Sequence, residues 1–244
     1  MQTKELKIKL ETKSPFRIGG KRDPFSKADQ PIAKIGNKIV IQGTSLKGAL
    51  RHEIEQYLIE NYKDVKWMKP CIPSSLNLIS KDEQELINKG KYKGENCNYM
   101  TKNDYICPVC YFLGAQGIVG HILTPFLNAN VTPSDLYSIR IDRAKGIAAK
   151  GTNREYQVIP EGIKFKGIMT VLLKDNLKGW ELGKPRPLKE SSLGDKWLQN
   201  SERDSQNVVR EFVKDRLENI SSLGGLKSSG AGKVKIIVSE IGND

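Results

Sequence analysis

The stretch IQGTSLKGALRHEIEQYL, residues 41–58, is the most regular segment of the chain. Its apolar side chains recur every three or four residues, as they do on the buried face of a helix. They are Leu46, Leu50, Ile54 and Leu58. This spacing predicts a helix over residues 45–62. Either Thr44 or Ser45 is a suitable N-cap, because its side-chain oxygen can accept from the first backbone N–H groups.

The same helix carries two cations close to its start, where the helix dipole favours anions. Lys47 and Arg51 are four residues apart and therefore share one face of the helix. Together with the backbone N–H groups that follow Gly43, they are suited to holding a phosphate. We interpret this arrangement as a contact with a sugar–phosphate backbone. The alternative is an ordinary solvated basic face.

The overall charge agrees with a polyanionic partner. The 244 residues include 40 Lys and Arg against 28 Asp and Glu, which gives a net charge of +12. Attraction to a nucleic acid grows with the number of phosphates neutralised, although a generally Lys-rich composition gives the same surplus. The sequence has no apolar run long enough for a transmembrane helix and no apolar secretory segment. We therefore expect a cytoplasmic protein.

The segments on either side of this helix predict the fold class. Residues 4–11 alternate polar and apolar, as a half-buried strand does, and residues 205–220 show the periodicity of a second amphipathic helix. Residues 138–162 predict a β-hairpin, with two strands joined by a protruding tip. This order is typical of an α+β fold, and we predict a ferredoxin-like (RRM-like) antiparallel sheet with helices on one face.

Residues 63–111 differ in character and predict an insertion into a core made of residues 1–62 and 112–244. The insertion holds all four cysteines, which are Cys71, Cys97, Cys107 and Cys110. Four thiolates predict a tetrahedral structural Zn²⁺ site that would stabilise a segment poor in apolar residues. Two alternatives remain open: His121 in place of Cys71, and four reduced thiols without a metal.

The segment GGLKSSGAGK, residues 224–233, is a second candidate for phosphate contact. A nucleotide-binding P-loop requires Ser or Thr after Gly-Lys and then a helix. Val234 follows Lys233 instead and begins a strand-like run, so an ATPase is disfavoured. Glycines still let the backbone approach a phosphate closely, and the lysines supply charge. The alternative is a mobile surface loop.

Four blocks, in order along residues 5–240, resemble the RAMP superfamily of CRISPR RNA-binding proteins. IQGTSLKGALR resembles its helix-opening motif, which usually has Pro at the position of Gln42. CPVCYFLGAQG is similar to a segment that ends in Phe-Gly, here altered to Phe112-Leu113-Gly114. IRIDRAKGIAAKGTNREYQVIPEGIKF is similar to its Arg-bearing hairpin, and LGGLKSSGAGKVKI resembles its C-terminal glycine-rich loop.

The resemblance implies that basic and glycine residues of these blocks and of the loop before the helix hold RNA. These are Arg17, Gly19, Gly20, Lys21, Ser45, Lys47, Arg51, Arg140, Arg143, Lys145, Gly225, Lys227, Ser228, Gly230 and Gly232. In the hairpin, Ile147 with Ala148 and Ala149 would form an apolar wedge that interrupts a duplex step. Recognition would follow backbone and shape, while base pairing supplies sequence.

Within the superfamily, the nearest likeness is to the backbone subunit of type III CRISPR interference complexes. It rests on RIGGKRDPFSKADQPIAK, in which Asp29 precedes Gln30-Pro31 as an Asp does in that loop of the family. The resemblance implies that copies, or paralogous RAMP subunits, stack on one guide RNA beside further effector subunits. Each copy would place its hairpin as a thumb through the guide–target duplex, and target RNA would be cut at regular intervals.

The expected chemistry is metal-dependent endoribonuclease cleavage within the assembled complex. The 2′-OH of the RNA supplies a nucleophile, and Asp29 can bind Mg²⁺ or another divalent ion or accept a proton. Asp23 is the second candidate. The alternatives are a catalytically inactive scaffold, a repeat-cutting RAMP endoribonuclease that matures the guide, and a generic zinc-stabilised RNA binder. An acid–base pair of His52 and His121 is disfavoured.

Overall fold

The structure is a computed structural model of the 244-residue chain. It describes residues 1–20, 31–74, 80–99, 105–149, 154–186, 194–199 and 203–241.

Twelve strands and five α-helices are present in these ranges. The strands are β1 Gln2–Thr12, β2 Lys34–Ile35, β3 Lys38–Ile41, β4 Ile122–Leu123, β5 Leu127–Ala129, β6 Ser134–Ser138, β7 Ile141–Asp142, β8 Ile147–Ala148, β9 Arg154–Val158, β10 Lys164–Asp175, β11 Trp180–Glu181 and β12 Val234–Glu240. The helices are α1 Gly43–Asn61, α2 Lys81–Asn88, α3 Pro108–Leu113, α4 Ser205–Val209 and α5 Asp215–Asn219. None of these helices has the length and apolar character needed to cross a membrane.

One large antiparallel sheet organises the fold. Its strand order is β12-β1-β10-β5-β3-β2, and β4 and β11 pair with β10. The longest pairing joins β1 to β10, from Gln2 opposite Lys174 to Glu11 opposite Lys164. The prediction of a mixed fold built on an antiparallel sheet is confirmed.

The alternation of β1 gives the sheet one buried face. Leu6, Ile8 and Leu10 are completely buried, whereas Lys7 between them is exposed. Helix α1 covers the core with the four predicted apolar residues, all of which are at most 1% exposed. The second predicted helix is also present, as α4 and α5 joined by the π-helical turn Arg210–Lys214.

Helix α1 begins two residues earlier than the sequence predicts. Its N-cap is Gln42, whose side chain makes no capping hydrogen bond, so the expected Thr44 or Ser45 cap is wrong. The reason lies at Gly43, where an added Cβ would stand 2.7 Å from the Thr124 carbonyl oxygen. The missing side chain at Gly43 lets the first turn pack directly on the strand-connecting backbone.

The cysteine-bearing segment shares the core of the sheet. Every residue of α3 is buried, and Phe112 stacks on Phe212 of the π-helical turn with ring centroids 4.9 Å apart. Residues 105–107, which precede α3, are buried as well. The proposed boundary at residue 111 therefore falls inside a fully buried helix, and apolar packing as well as any metal holds this part of the segment.

The hairpin extends away from the main sheet. Strands β6 and β9 pair from Ser134 opposite Val158 to Ser138 opposite Arg154, and β7 pairs with β8 further out. Large apolar side chains on it are exposed, among them Ile141 at 64% and Ile147 at 61%. The strands of the hairpin lie in residues 134–158 and begin four residues before the predicted start of the hairpin at residue 138.

Candidate RNA-binding face and metal centre

The four cysteines converge on one buried point. Their Sγ atoms all lie within 4.8 Å of one another, and all four residues are buried free thiols. Cys107 is the N-cap of α3 and Cys110 follows in its first turn, while Cys71 pairs across a short bridge with Lys93. Local structure thus brings two ligands from one helix together with two from the preceding loops.

The donor set suits a soft or borderline metal ion. Zn²⁺ binds thiolates at about 2.3 Å in a tetrahedron, which places the sulfurs about 3.8 Å apart. The Sγ atoms of Cys71 and Cys110 are 3.4 Å apart, close to that spacing. Hydrogen bonding from Cys107 lowers the pKa of the Cys71 and Cys110 thiols, whereas burial raises the pKa of Cys107. The cluster can therefore hold a metal such as zinc.

His121 does not belong to this cluster as the structure describes it. The ring is fully buried against Tyr111, and its Nδ1 lies 2.9 Å from the Leu172 carbonyl oxygen. Burial lowers the pKa of His121 to about 4, so the ring is neutral near pH 7. His52 is exposed on α1. One ring is buried and the other faces solvent, which gives no support to an acid–base pair.

Arg51 faces the cysteines. Its Nη2 donates to the Cys110 Sγ at 3.5 Å, and its Nη1 donates to the Glu55 carboxylate at 3.1 Å. Burial by itself would lower the pKa of Arg51, but the sulfurs of Cys110, Cys107 and Cys71 outweigh burial and raise it. The expectation that Arg51 joins Lys47 on a phosphate is corrected: its guanidinium is held by a carboxylate and a sulfur.

Lys47 lies four residues before Arg51, nearer the N-terminus of the same helix face. It lines a shallow groove of about 290 Å³ with Gly114, Gly120 and Leu123. An added Cβ on Gly120 would stand 2.4 Å from the Gly114 backbone nitrogen, so two backbone segments meet here at close range. The first turn of α1 contains no acidic residue and no side-chain cap, which leaves an electropositive end beside Lys47.

The C-terminal glycine-rich loop packs against the loop after β1. The Gly225 N–H donates to the Arg17 carbonyl oxygen at 2.9 Å, and the Gly232 N–H donates to that of Pro15 at 2.8 Å. An added Cβ on Gly224 would stand 2.3 Å from the Arg17 carbonyl oxygen. Two segments from opposite ends of the chain, both predicted to hold RNA, therefore form one surface. Within the C-terminal loop, Lys227, Ser228 and Gly230 are exposed.

The base of the hairpin completes this surface. Phe16 and Ile159 exchange backbone hydrogen bonds of 2.9 and 2.7 Å, and the Arg17 guanidinium lies over the Tyr156 ring at 5.6 Å. We call residues 15–20, residues 224–232 and β9 the glycine-rich surface. Further out, Arg140 and Arg143 line a cleft of about 920 Å³ in the hairpin, and Lys145 is exposed at its turn.

A comparison with known families decides the identity of this arrangement. Residues 9–235 match the RAMP superfamily. The chain belongs to that superfamily. No curated protein matches it significantly. RAMP proteins generally bind CRISPR RNA and act in multi-subunit complexes, so membership points to a CRISPR-associated RNA-binding role.

Three residues singled out in this RAMP protein lie outside the described residues, namely Lys21, Asp23 and Asp29. The described residues on either side of their segment are hydrogen-bonded to each other: the Gly20 N–H donates to the Pro31 carbonyl oxygen at 2.9 Å. Next to this bond, the Ile32 N–H donates to the Gln157 side chain of β9 at 3.5 Å. The ends of the segment therefore meet at the base of the hairpin.

Sequence reasoning missed three residues of these sites. Glu55 holds Arg51, Tyr156 stacks under Arg17, and Lys93 is buried with its Nζ donating to the Tyr105 carbonyl oxygen. Glu55 follows Arg51 by four residues, a spacing that signals an ion pair. Tyr156 and Lys93 depend on long-range contacts that no local pattern reveals.

Proposed function

We propose that this RAMP protein is a guide-RNA-binding backbone subunit of a type III CRISPR effector complex. The observation that carries the proposal is the glycine-rich surface, in which the loop after β1, the C-terminal loop and the hairpin base pack together. All three were implied as RNA-binding segments by the family resemblance, and their meeting at one surface supports a common ligand.

The core of the subunit is ferredoxin-like in this proposal. Neighbouring strands run β12, β1, β10 and β5, while α1 lies between β1 and β5 in sequence, and α4 and α5 lie between β10 and β12. This order supports the split β-α-β arrangement, in which two helices cover one face of four antiparallel strands. The hairpin and the cysteine-bearing segment are additions to it.

The glycine-rich surface is suited to a sugar–phosphate strand. Backbone N–H groups and small residues let phosphates approach, and Arg17 and Lys227 supply charge. Aromatic residues are 7% of the chain, and the described surface presents Tyr156 beneath Arg17. Recognition through backbone and shape, with sequence left to base pairing, therefore fits better than serial base stacking.

The hairpin acts as a thumb in this proposal. Its exposed isoleucines, Ile141 and Ile147, are large enough to fill the space left by a displaced base pair. Arg140 and Arg143, which line the hairpin cleft, are placed for phosphates on either side. Copies stacked along one guide would then divide the guide–target duplex at regular intervals.

Asp29 is the proposed catalytic residue for target RNA cleavage. Supporting this, the described residues on either side of its segment, Gly20 and Pro31, meet at the base of the hairpin that would act as the thumb. In-line attack by the adjacent 2′-OH requires positioning of the phosphate and removal of a proton, and a carboxylate can do the latter or hold a divalent cation. A bound Mg²⁺ would supply charge stabilisation at the phosphate.

Zn²⁺ is the proposed occupant of the four-cysteine cluster, in a structural role. The four buried sulfurs form a closed ligand set, with no fifth protein group or open face for chemistry among the described residues. The metal would join the loops carrying Cys71 and Cys97 to α3.

The cleavage proposal is tested with the assembled complex. Complex purified with Asp29→Ala in this subunit should bind guide-complementary RNA as the parent does and lose cleavage at the regular positions in Mg²⁺. Asp23→Ala tests the second candidate and should retain cleavage; loss of cleavage in Asp23→Ala alone would assign the role to Asp23. Unchanged cleavage in both complexes would make the subunit an inactive scaffold, and metal-independent cutting of repeat RNA by the isolated protein would indicate a guide-maturing nuclease.

A further inference from the structure

Arg51 lies near the start of α1, yet its side chain is largely buried. Its side chain is only 17% exposed, and its partners are the Cys110 Sγ at 3.5 Å and Glu55 at 3.1 Å. A buried guanidinium is costly unless its donors and charge are matched. The role of Arg51 must therefore be sought at the cysteine cluster.

Glu55 holds the guanidinium of Arg51 through Nη1, whereas Nη2 donates to the Cys110 sulfur. Glu55 is 11% exposed and accepts from Arg51 with one oxygen and from the Tyr92 hydroxyl with the other, at 3.5 Å. Tyr92 belongs to the segment between Cys71 and Cys97. Glu55 thus orients the plane of Arg51, and it links α1 to the loop that carries two of the four cysteines.

Charge explains why a cation is needed at this place. Four thiolates around a divalent ion carry a net charge of −2, because −4 and +2 are added. Burying that charge in a protein interior is unfavourable unless nearby donors or cations offset it. The Cys107 N–H donates to the Cys97 Sγ at 3.3 Å, and the Arg51 guanidinium, whose charge is shared with Glu55, donates to the Cys110 Sγ.

We propose that Arg51 is the outer-sphere partner of the four-cysteine metal centre, and that it determines the metal affinity of the site. Glu55 is a positioning residue that holds it there. This inference rests on the proposed occupation of the cluster by Zn²⁺. It also implies that metal binding stabilises α1 directly, because Arg51 joins the middle of that helix to a metal ligand.

The test measures zinc affinity of the full chain by competition with a chromogenic chelator. Outer-sphere partners typically contribute about 10- to 100-fold in affinity. Arg51→Met and Arg51→Gln should therefore bind zinc about 10- to 100-fold more weakly while keeping the far-ultraviolet circular dichroism of the parent in excess zinc. Arg51→Met retains an apolar stem, which favours folding. The matched control is Lys89→Gln, which removes the cation of an exposed i,i+4 pair with Glu85 and should leave affinity unchanged.

The outcomes separate this proposal from the zinc assignment. Parent protein that gives no tetrahedral thiolate spectrum with Co²⁺ would overturn both. Parent protein with tight zinc binding, and Arg51 variants within twofold of it, would overturn the role of Arg51 alone. Loss of fold in both variants that excess zinc does not rescue would also contradict it, because Arg51 would then serve general packing.

Discussion

Gly224 illustrates how a single residue shapes the glycine-rich surface proposed to bind RNA. Its φ of +87° is rarely adopted by other residues, and the space that a Cβ would need is taken by the Arg17 carbonyl oxygen. A glycine at this position therefore allows the loop after β1 and the C-terminal loop to touch. Glycines of the C-terminal loop such as Gly224 are needed for its backbone conformation. The exposed Lys227 and Ser228 are the side chains of this loop that we propose to contact RNA.

Gly224→Ala should weaken guide-RNA binding and destabilise the fold by about 1–3 kcal/mol, because it combines backbone strain with a clash. Gly94→Ala is the control, since Gly94 lies outside the glycine-rich surface and the start of α1, and nothing stands near its missing Cβ. That change should leave stability and RNA affinity close to those of the parent. Urea denaturation and filter binding of guide RNA measure the two effects. Equal RNA affinity in both variants would contradict the assigned role of the loop.

His121 makes stability depend on pH at the residue scale. Burial lowers its pKa in the folded state to about 4, whereas an unfolded histidine has its ordinary pKa of about 6.5. Between these values the unfolded chain binds the extra proton. The free energy of unfolding should therefore fall as pH falls from about 6.5 to about 4, by up to about 3 kcal/mol.

The measurement is urea denaturation of the parent and of His121→Gln across this pH range. Gln keeps an N–H donor for the Leu172 carbonyl oxygen but does not titrate, so the variant should lose the histidine part of the slope. Identical slopes for both proteins would show that His121 is not the group responsible. Both proteins keep all four cysteines, so the difference between their slopes separates this effect from protonation of the cysteines.

At the scale of elements, α1 joins the two candidate sites. Its first turn lies beside Lys47 and the groove at Gly114, and its middle carries Arg51 against Cys110. The apolar face between them is fully buried. Helix α3 is the counterpart, because it supplies two cysteines and continues into the glycines that face Lys47.

Metal removal should therefore loosen α1 and α3 more than the distant hairpin. A strong chelator is expected to lower the melting temperature and to speed amide hydrogen exchange in residues 105–113 and 43–61. Exchange in β6 and β9 should change little. A Cys71→Ser, Cys110→Ser double variant is the control and should show no further response to chelator. Uniform exchange in all elements would argue against a local metal role.

How far the sequence predicted these elements depends on whether the signal is local. The apolar spacing of α1 and the alternation of β1 are local patterns, and both predictions are confirmed. The four cysteines also come together, and their occupation by zinc stays a prediction. Arg51 is the instructive exception. The same i,i+4 spacing that suggested a phosphate site suits an ion pair with Glu55, and only the contact with Cys110 shows which way the side chain points.

At the scale of the whole molecule, the chain brings its two ends together. Strand β12 pairs with β1, which draws the C-terminal loop onto the loop after β1. The sequence identified both loops as RNA-binding candidates, but their pairing depends on sheet order, which local patterns do not encode. Asp29 lies outside the described residues, so its catalytic role stays a prediction from family resemblance.

The surplus of 12 positive charges acts at this scale as well. Charge spread over the surface attracts RNA in general, whereas the glycine-rich surface would define one path for it. A generic basic protein would contact RNA at many sites. A guide-binding backbone subunit would contact it along one continuous surface, repeated in each copy.

In the proposed assembly, the guide RNA lies along the glycine-rich surface. Photo-crosslinking tests this placement most directly, using the purified native assembly with 4-thiouridine in its guide RNA and peptide mapping by mass spectrometry. We predict crosslinks from this subunit in residues 15–20, in residues 224–232 and near the start of α1. Crosslinks confined to other surfaces, such as the exposed face of α2, or an assembly that contains no guide RNA, would contradict the account.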